Sequence, residues 1–401
     1  MKIMQINCVY NTGSTGKIIY DIHTELKKQN IESIICYGRG NKTDDIGVYK
    51  TSSEFLAKFN NVKSRFTGMP YNGSFFATKK LLGIIKTEKP DVVHLHCING
   101  FFVNIYKLVR FLKKNKIPTV VTHHGEFLYT GNCGHAYECE EWKTGCARCP
   151  SAKNAINSHF FDFTGYNFRK MKKVFSGFER LISIGVSPWV ESRAKQSPIF
   201  SEYENTYVLN GLDTEIFKPC ENDLKKTLQI EENKKVILHV TASFTSEVKG
   251  GKYIIELAKH FKEDAVIIVV GNRETPTDLP DNIKAVGRVE NQTELAKYYS
   301  MADLTVVTGK RETFSMPVAE SLCCGTPVVG FLAGGPETIA ISGCSEFVEF
   351  GDIEALEKVI RRWFLKDKLS DEMVLKSQRK YDKKRMREEY IQKYKEVLKN
   401  G

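Results

Sequence analysis

The sequence predicts an α/β protein made of two doubly wound parallel-sheet domains, and three observations predict it. At 401 residues the chain is longer than one ordinary core supports, so two domains are expected. Apolar runs of strand length alternate with stretches of helical spacing, and this alternation restarts after a polar segment at 217–232. The strand runs are apolar almost throughout, as in sheets covered by helices on both faces. The composition, 41% hydrophobic and 27% charged, is that of a soluble globular protein. No apolar run reaches the roughly 18 residues that a membrane span needs.

In chain order, residues 3–10 read as a strand, too short and interrupted for a signal peptide, so the cytoplasm is the expected compartment. A small-residue turn, Asn11-Thr12-Gly13-Ser14-Thr15-Gly16, leads into a helix at 17–29. A strand follows at 34–37. Residues 39–75 are polar and rich in Gly and Asn, and composition assigns them to a mobile excursion with a weak helix near 55–59. Helices at 77–86 and 102–113 then alternate with strands at 91–96 and 118–123. A cysteine-bearing insertion fills about 125–160. After it come a helix at 168–175, a strand at 181–184, a helix opened by Ser187-Pro188 and a strand at 207–209. The second round has strands at 236–241, 265–270, 283–286, 304–307 and 328–330, with helices at 251–261, 294–301 and 353–363. From 381 a basic helix carries Met386, Tyr390, Tyr394 and Val397 on one face. The expected domains are 1–218 and 219–379, with 380–401 as a terminal helix packing back toward the first domain.

The net charge of +11 lies in the first half: residues 1–180 carry 27 Lys and Arg against 14 Asp and Glu. A solvated lysine-rich surface accounts for this, and so does a face that meets an anionic membrane or a phosphate-bearing acceptor. No nucleic-acid-binding module is recognised. Seven of the eleven cysteines are scattered and read as small buried apolar residues. The other four, Cys133-x5-Cys139-x6-Cys146-x2-Cys149, suit tetrahedral zinc, free or redox-active thiols, or disulfides; a reducing compartment disfavours the last.

The densest chemistry lies at 310–320. Glu312 stands in a loop after an apolar strand, and Glu320 stands inside the helix that follows. Ser315 is the expected N-cap, and Pro317 is tolerated in the first turn. A helix start with unpaired N–H groups beside two carboxylates suits a ligand bearing both phosphates and hydroxyls. Lys249-Gly250-Gly251, at another helix start, can hold a diphosphate or be a solvated cap. Gly13-Ser14-Thr15-Gly16-Lys17 is neither a P-loop nor a dinucleotide fingerprint. What remains is a glycine turn able to approach an anion, or a plain tight turn. His94, His96, His123 and His124 all fall at strand C-terminal ends, where parallel sheets bind ligands, and His124 is the best single candidate.

These residues resemble a known family. Glu312-x7-Glu320, followed by Cys324-Gly325-Thr326-Pro327-Val328-Val329 and Gly334-Gly335-Pro336-Glu337, resembles the donor-site signature of the retaining GT-B glycosyltransferases of family 4 (glycosyl transferases group 1). Asn210-Gly211-Leu212-Asp213-Thr214-Glu215-Ile216-Phe217-Lys218-Pro219 is similar to that family's interdomain segment. The Gly13–Gly16 turn, Asp91-Val92-Val93-His94-Leu95-His96 and the cysteine segment resemble the colanic-acid and exopolysaccharide subgroup.

The resemblance implies two Rossmann-like domains facing a crevice. It implies transfer of a hexose from a nucleoside diphosphate sugar to a glycan acceptor, lipid-linked, in exopolysaccharide, capsule or O-antigen synthesis at the inner face of the membrane, with retention and no catalytic metal. Glu320 would accept from the ribose and Glu312 from the sugar, and His124 would lie near the transferred sugar. Backbone N–H groups of Phe314 and Ser315 would meet sugar and phosphate. Lys249, Gly250, Gly13 and Gly16 would surround the diphosphate, and Arg288 would lie by the base. One departure stands out: the family's arginine shortly before the lysine is missing from Thr241-Ala242-Ser243-Phe244. A nucleotide-sugar epimerase on the same fold and a non-catalytic nucleotide-sugar-binding partner are the rival functions.

Overall fold

The computed structural model describes residues 1–147, 149–150, 152–156, 158, 160–271 and 278–399. The chain divides into two compact units, Met1–Val208 with Arg387–Gly401, and Leu209–Met386. The expected boundaries at 218 and 380 both lie inside the second unit.

The first unit holds a seven-stranded sheet. Its strands are β1 (Lys2–Asn7), β2 (Glu32–Tyr37), β3 (Val48–Lys50), β4 (Val92–Leu95), β5 (Thr119–His123), β6 (Leu181–Gly185) and β7 (Glu204–Tyr207). Their order is β3-β2-β1-β4-β5-β6-β7, and every pairing is parallel. The chain therefore runs outward one way from β1 and then the other way from β4. The β1/β4 boundary is the switch point where a doubly wound sheet opens a ligand crevice. β7 lies a few residues earlier than the apolar run at 207–209 suggests. It is an edge strand with half-exposed polar residues, so its apolar signal falls just beyond it.

Residues 39–75 are not an excursion. They contain β3, a 14-residue helix Glu54–Thr67, and the approach to a second helix, Phe75–Glu88. Ser53 caps the first by accepting from Leu56 N–H, and Gly68 ends it in the left-handed conformation. Its inward face is small and polar, Ala57 and Ser64, while Phe55, Phe59, Val62 and Phe66 recur at helical spacing, a period that composition alone does not register.

The terminal helix is Lys383–Lys399, and in the first unit Tyr390, Tyr394 and Val397 are fully buried. Tyr394 Oη lies 2.8 Å from His94 Nδ1, and Tyr390 Oη accepts from Thr122 Oγ1 at 3.3 Å.

The second unit holds a six-stranded sheet: β8 (Lys235–Val240), β9 (Ala265–Val270), β10 (Ile283–Ala285), β11 (Leu304–Val307), β12 (Val328–Phe331) and β13 (Ser345–Val348). The order is β10-β9-β8-β11-β12-β13, again all parallel, with the switch point between β8 and β11. Its core joins Ile237, Ile267, Val306 and Val329 of the sheet to Ile254 and Leu257 of one helix and Leu356 and Ile360 of another. The segment after Asn210 is anchored in this unit: Leu212 N–H donates to Tyr381 O, and Lys383 N–H donates to Leu212 O. The helix Asp371–Tyr381, which precedes that contact, carries few apolar residues and leaves no periodic signal.

Candidate functional site

In the second unit the predicted residues gather around the β8/β11 switch point. Lys249 ends a short 3-10 turn after β8, and Glu312 lies in the loop after β11. Lys249 Nζ donates to Glu312 Oε1 at 2.6 Å, joining residues 63 apart. The backbones interlock as well. Lys310 N–H donates to Val248 O at 2.9 Å, and Thr308 Oγ1 donates to Gly250 O at 3.1 Å. Gly250 has φ +75°, and a Cβ on it would lie 2.1 Å from Thr308 O, so only glycine permits this approach. Glu312 itself is clamped through its backbone: its N–H donates to Ala333 O and its C=O accepts from Gly335 N–H. Gly335 is required there too, since a Cβ would sit 2.5 Å from Thr313 C. The Gly334-Gly335-Pro336-Glu337 motif thus fixes the Glu312 loop, and Glu337 caps its own short helix by accepting from Ala333 and Gly334 N–H.

Phe314 and Ser315 form the turn into the helix Met316–Cys323. Ser315 occupies the N-cap position, but with φ +81° its side chain makes no capping bond, contrary to the expectation of a serine cap. The strained turn leaves the first N–H groups of this helix without a side-chain cap, which favours anion binding there. Glu320, one turn into the helix, is buried and accepts from Tyr299 Oη at 2.8 Å. Tyr299 is fully buried, and burial followed by the Glu320 charge holds its phenol far above its ordinary pKa, so it remains a donor. Arg288 is exposed on the segment after β10 and pairs with Glu290 at 3.5 Å. Its nearest backbone link is Gly271 N–H to Gly287 O.

In the first unit the glycine turn opens the helix Gly13–Lys28 at the β1/β4 switch point. Asn7, at the end of β1, accepts from Cys97 N–H at 3.0 Å and donates to Val9 O at 2.8 Å and Thr15 Oγ1 at 3.5 Å. It ties the turn to the end of β4. Gly16 packs tightly: a Cβ there would meet Asn11 N at 3.2 Å.

The histidines form a contact series. His94 Nε2 bonds Thr122 Oγ1 at 2.7 Å, the rings of His94 and His96 lie 3.7 Å apart, and His96 Nδ1 meets His124 Nε2 at 3.1 Å. His123 points elsewhere, to Ser183 Oγ at 3.0 Å. Burial pushes all four down, His124 to about 4 and His123 to about 3, so the series is neutral at pH 7. His124 keeps an exposed edge while His96 is fully buried.

Cys133, Cys139, Cys146 and Cys149 line one cavity of about 10 Å³ together with Trp142 and Pro150. No disulfide joins any of the four. Among the described residues, no three His, Cys, Asp or Glu side chains stand as a ready ligand set for a metal. Burial, and then the neighbouring thiols, push Cys133 far up and Cys146 up to about 12. A buried ion pair secures this insertion: Arg193 Nε donates to Glu126 Oε1 at 2.8 Å, Glu126 Oε2 accepts from Ala136 N–H at 2.7 Å, and the guanidinium stacks on Trp142.

Residues 15–183 match the Glycosyltransferase Family 4 model, and residues 221–380 match the Glycosyl transferases group 1 model. The chain belongs to the family 4 glycosyltransferases. Among curated relatives, the putative colanic acid biosynthesis glycosyl transferase WcaC of Escherichia coli is 29% identical over 38% of this chain and 40% of its own length. The N-acetyl-alpha-D-glucosaminyl L-malate synthase of Bacillus anthracis is 29% identical over 36% of this chain and 40% of its own. The match thus spans about two fifths of the length of these curated relatives.

Solved structures carry the family fold over the whole chain. Sucrose-phosphate synthase from Thermosynechococcus elongatus superposes with a TM-score of 0.69 at 14% identity, covering 100% of both chains. Anabaena HepE in complex with UDP superposes with a TM-score of 0.69 at 16% identity, covering 98% of this chain and 99% of its own. The fold is therefore GT-B: two parallel α/β domains of seven and six strands.

Tyr299 in the second unit, and Asn7, Thr122, Tyr390 and Tyr394 in the first, contact the predicted residues and are left out by sequence reasoning. Tyr299 and the two C-terminal tyrosines look like core aromatics at helical spacing. Only Asn7, a polar residue ending an apolar strand before a glycine turn, carries a readable signal.

Proposed function

We propose that this glycosyltransferase moves a hexose from a nucleoside diphosphate sugar to a hydroxyl of a growing, lipid-linked glycan in exopolysaccharide, capsule or O-antigen synthesis, with retention of configuration. The observation that carries the reading is the Lys249–Glu312 pair on the loops that follow β8 and β11, beside the uncapped start of the helix that carries Glu320. The HepE structures, solved with UDP and with UDP-glucose, support a nucleotide-sugar donor, and the likeness to WcaC supports polysaccharide synthesis.

Glu320, held by Tyr299, accepts from the ribose hydroxyls. Lys249 turns from Glu312 to the diphosphate, which frees Glu312 to accept from the sugar hydroxyls. The N–H groups at Phe314 and Ser315 receive the phosphate; in the first unit, Gly13 and Gly16 leave the backbone of their turn open to an anion. Arg288 lies by the base. Neutral His124 hydrogen-bonds the transferred sugar without adding a competing charge. In the reaction, the bond from the anomeric carbon to the phosphate oxygen breaks and a bond to the acceptor oxygen forms. The acceptor proton passes to the leaving diphosphate, so the nucleotide's own phosphate serves as the base on the same face, giving retention by internal return. Leaving-group charge is met by Lys249 and helix N–H groups, and no catalytic metal is required.

The test is incubation with a panel of donors, with and without lipid-linked acceptor. Nucleoside diphosphate released only with acceptor supports the transferase. Donor isomerised alone shows an epimerase, and binding without turnover shows a binding partner.

For the four cysteines we propose a structural zinc. Their side chains are gathered around one small cavity, and a divalent cation there would deprotonate Cys133 and Cys146, whose thiols burial raises.

A further inference from the structure

The helix Glu54–Thr67 is inside out. Its buried side carries Ala57 and Ser64, while Phe55, Phe59, Val62 and Phe66, spaced four, three and four residues apart, share the outer face and are all more than half exposed. A helix on a soluble domain shows the opposite arrangement. The surface extends beyond this helix. Asn60 Nδ2 donates to Ser74 Oγ at 3.0 Å and Asn60 Oδ1 accepts from Ser74 N–H at 3.2 Å. That pairing sets Phe75 and Phe76 beside the helix, both exposed, with their rings 5.5 Å apart. Phe66 stacks on exposed Phe160 at 5.8 Å. The fold therefore presents a group of exposed aromatic side chains that it does not use for its own core.

The charges along this stretch are predominantly of one sign. Between residues 54 and 80 stand Lys58, Lys63, Arg65, Lys79 and Lys80 against a single acid, Glu54, which is itself paired with Arg39 at 2.7 Å. Lys107 sits over the Phe75 ring at 4.6 Å. A second copy of the chain meeting this face would set lysine against lysine. Anionic headgroups complement it instead, with the phenylalanines entering the headgroup–acyl boundary.

We infer that the outer face of Glu54–Thr67, together with Phe75 and Phe76, docks the first domain on an anionic lipid bilayer. The inference places the proposed transferase at a membrane, but it rests on this surface alone.

The test is co-sedimentation of the full chain with vesicles of phosphatidylcholine containing phosphatidylglycerol, and with vesicles of phosphatidylcholine alone. The wild type should sediment with the first and not the second. Phe55→Ser with Phe59→Ser and Phe66→Ser should cut partitioning at least about tenfold with unchanged circular dichroism, because the residues are exposed. Lys58→Glu with Lys63→Glu and Arg65→Glu should abolish the preference for anionic vesicles. Equal binding to both vesicle types, unaltered binding by either variant, or dimerisation through this face without vesicle binding overturns the inference. No sugar donor is present in the assay, so its failure leaves the proposed reaction untouched.

Discussion

Glu320 is the most informative residue to perturb, because its carboxylate is buried and its partner is known. In the proposed complex it accepts from the ribose hydroxyls while Tyr299 Oη holds its Oε2 at 2.8 Å. A hydrogen bond to a charged acceptor contributes about 1.5–3 kcal/mol, so removing the ribose contacts should cost about 3 kcal/mol, roughly a hundredfold in Kd. Glu320→Gln keeps the shape and removes the charge. Titration calorimetry with UDP and GDP, each compared with its 2′,3′-dideoxy analogue, separates the ribose contact from the rest. The wild type should prefer the ribonucleotide strongly, and Glu320→Gln should lose most of that preference while keeping its affinity for the dideoxy analogue. Tyr299→Phe leaves the carboxylate in place but frees its rotamer, so an intermediate loss of about tenfold is expected, with about 1–3 kcal/mol lost from unfolding stability. Unchanged discrimination by folded Glu320→Gln would refute the assignment of this carboxylate to the ribose, whatever happens to overall affinity.

Three other perturbations follow from the geometry. Gly250→Ala places a Cβ 2.1 Å from Thr308 O at φ +75°, so thermal unfolding should show a loss of about 2–4 kcal/mol; a loss under about 1 kcal/mol would mean the two loops are not locked. Burial lowers His94, His96, His123 and His124 from the ordinary 6.5, so the unfolded chain takes up protons first as pH falls. The stability from their neutral forms is complete above 6.5 and is lost as pH drops toward about 4, at roughly 1.4 kcal/mol per histidine per pH unit. Urea unfolding between pH 7 and 5 should show this slope, and a flat profile would contradict the burial. Freshly purified, reduced protein should carry one zinc per chain, released by a strong chelator with loss of thermal stability; metal-free protein with four titratable thiols in the insertion would exclude zinc there.

What the sequence makes legible is local. The apolar strand runs give both sheets, and Glu312, Pro317 and Glu320 announce a strand–turn–helix because their signals lie within a dozen residues. What it hides is contact across distance and inverted polarity. Nothing near Lys249 says that it bonds Glu312, 63 residues on, or that Tyr394 reaches His94 across 300 residues. Ser315 has the composition of a cap but the dihedrals of a strained turn. The helix Glu54–Thr67 escapes a composition-based reading because polar residues dominate the segment, although Phe55, Phe59, Val62 and Phe66 recur at helical spacing.

The arginine expected before Lys249 is absent, and Phe244 stands in that loop, 2% exposed, its carbonyl 2.1 Å from where a Cβ on Gly251 would lie. The β8 loop is thus folded tightly over the helix start, with the Phe244 ring in the core. Lys310 N–H donates to Val248 O, which holds the β11 loop beside the backbone that carries Lys249, while the Lys310 ammonium lies over the Phe350 ring at 5.9 Å. For the proposed diphosphate this leaves the Lys249 ammonium, a point charge, where a bidentate guanidinium was expected. Lysine ammonium groups neutralise phosphate without fixing its orientation, so orientation has to come from the backbone N–H groups at Phe314 and Ser315. The strained Ser315 turn, clamped by Gly335 and by the backbone bonds of Glu312, is built rigidly enough to supply it.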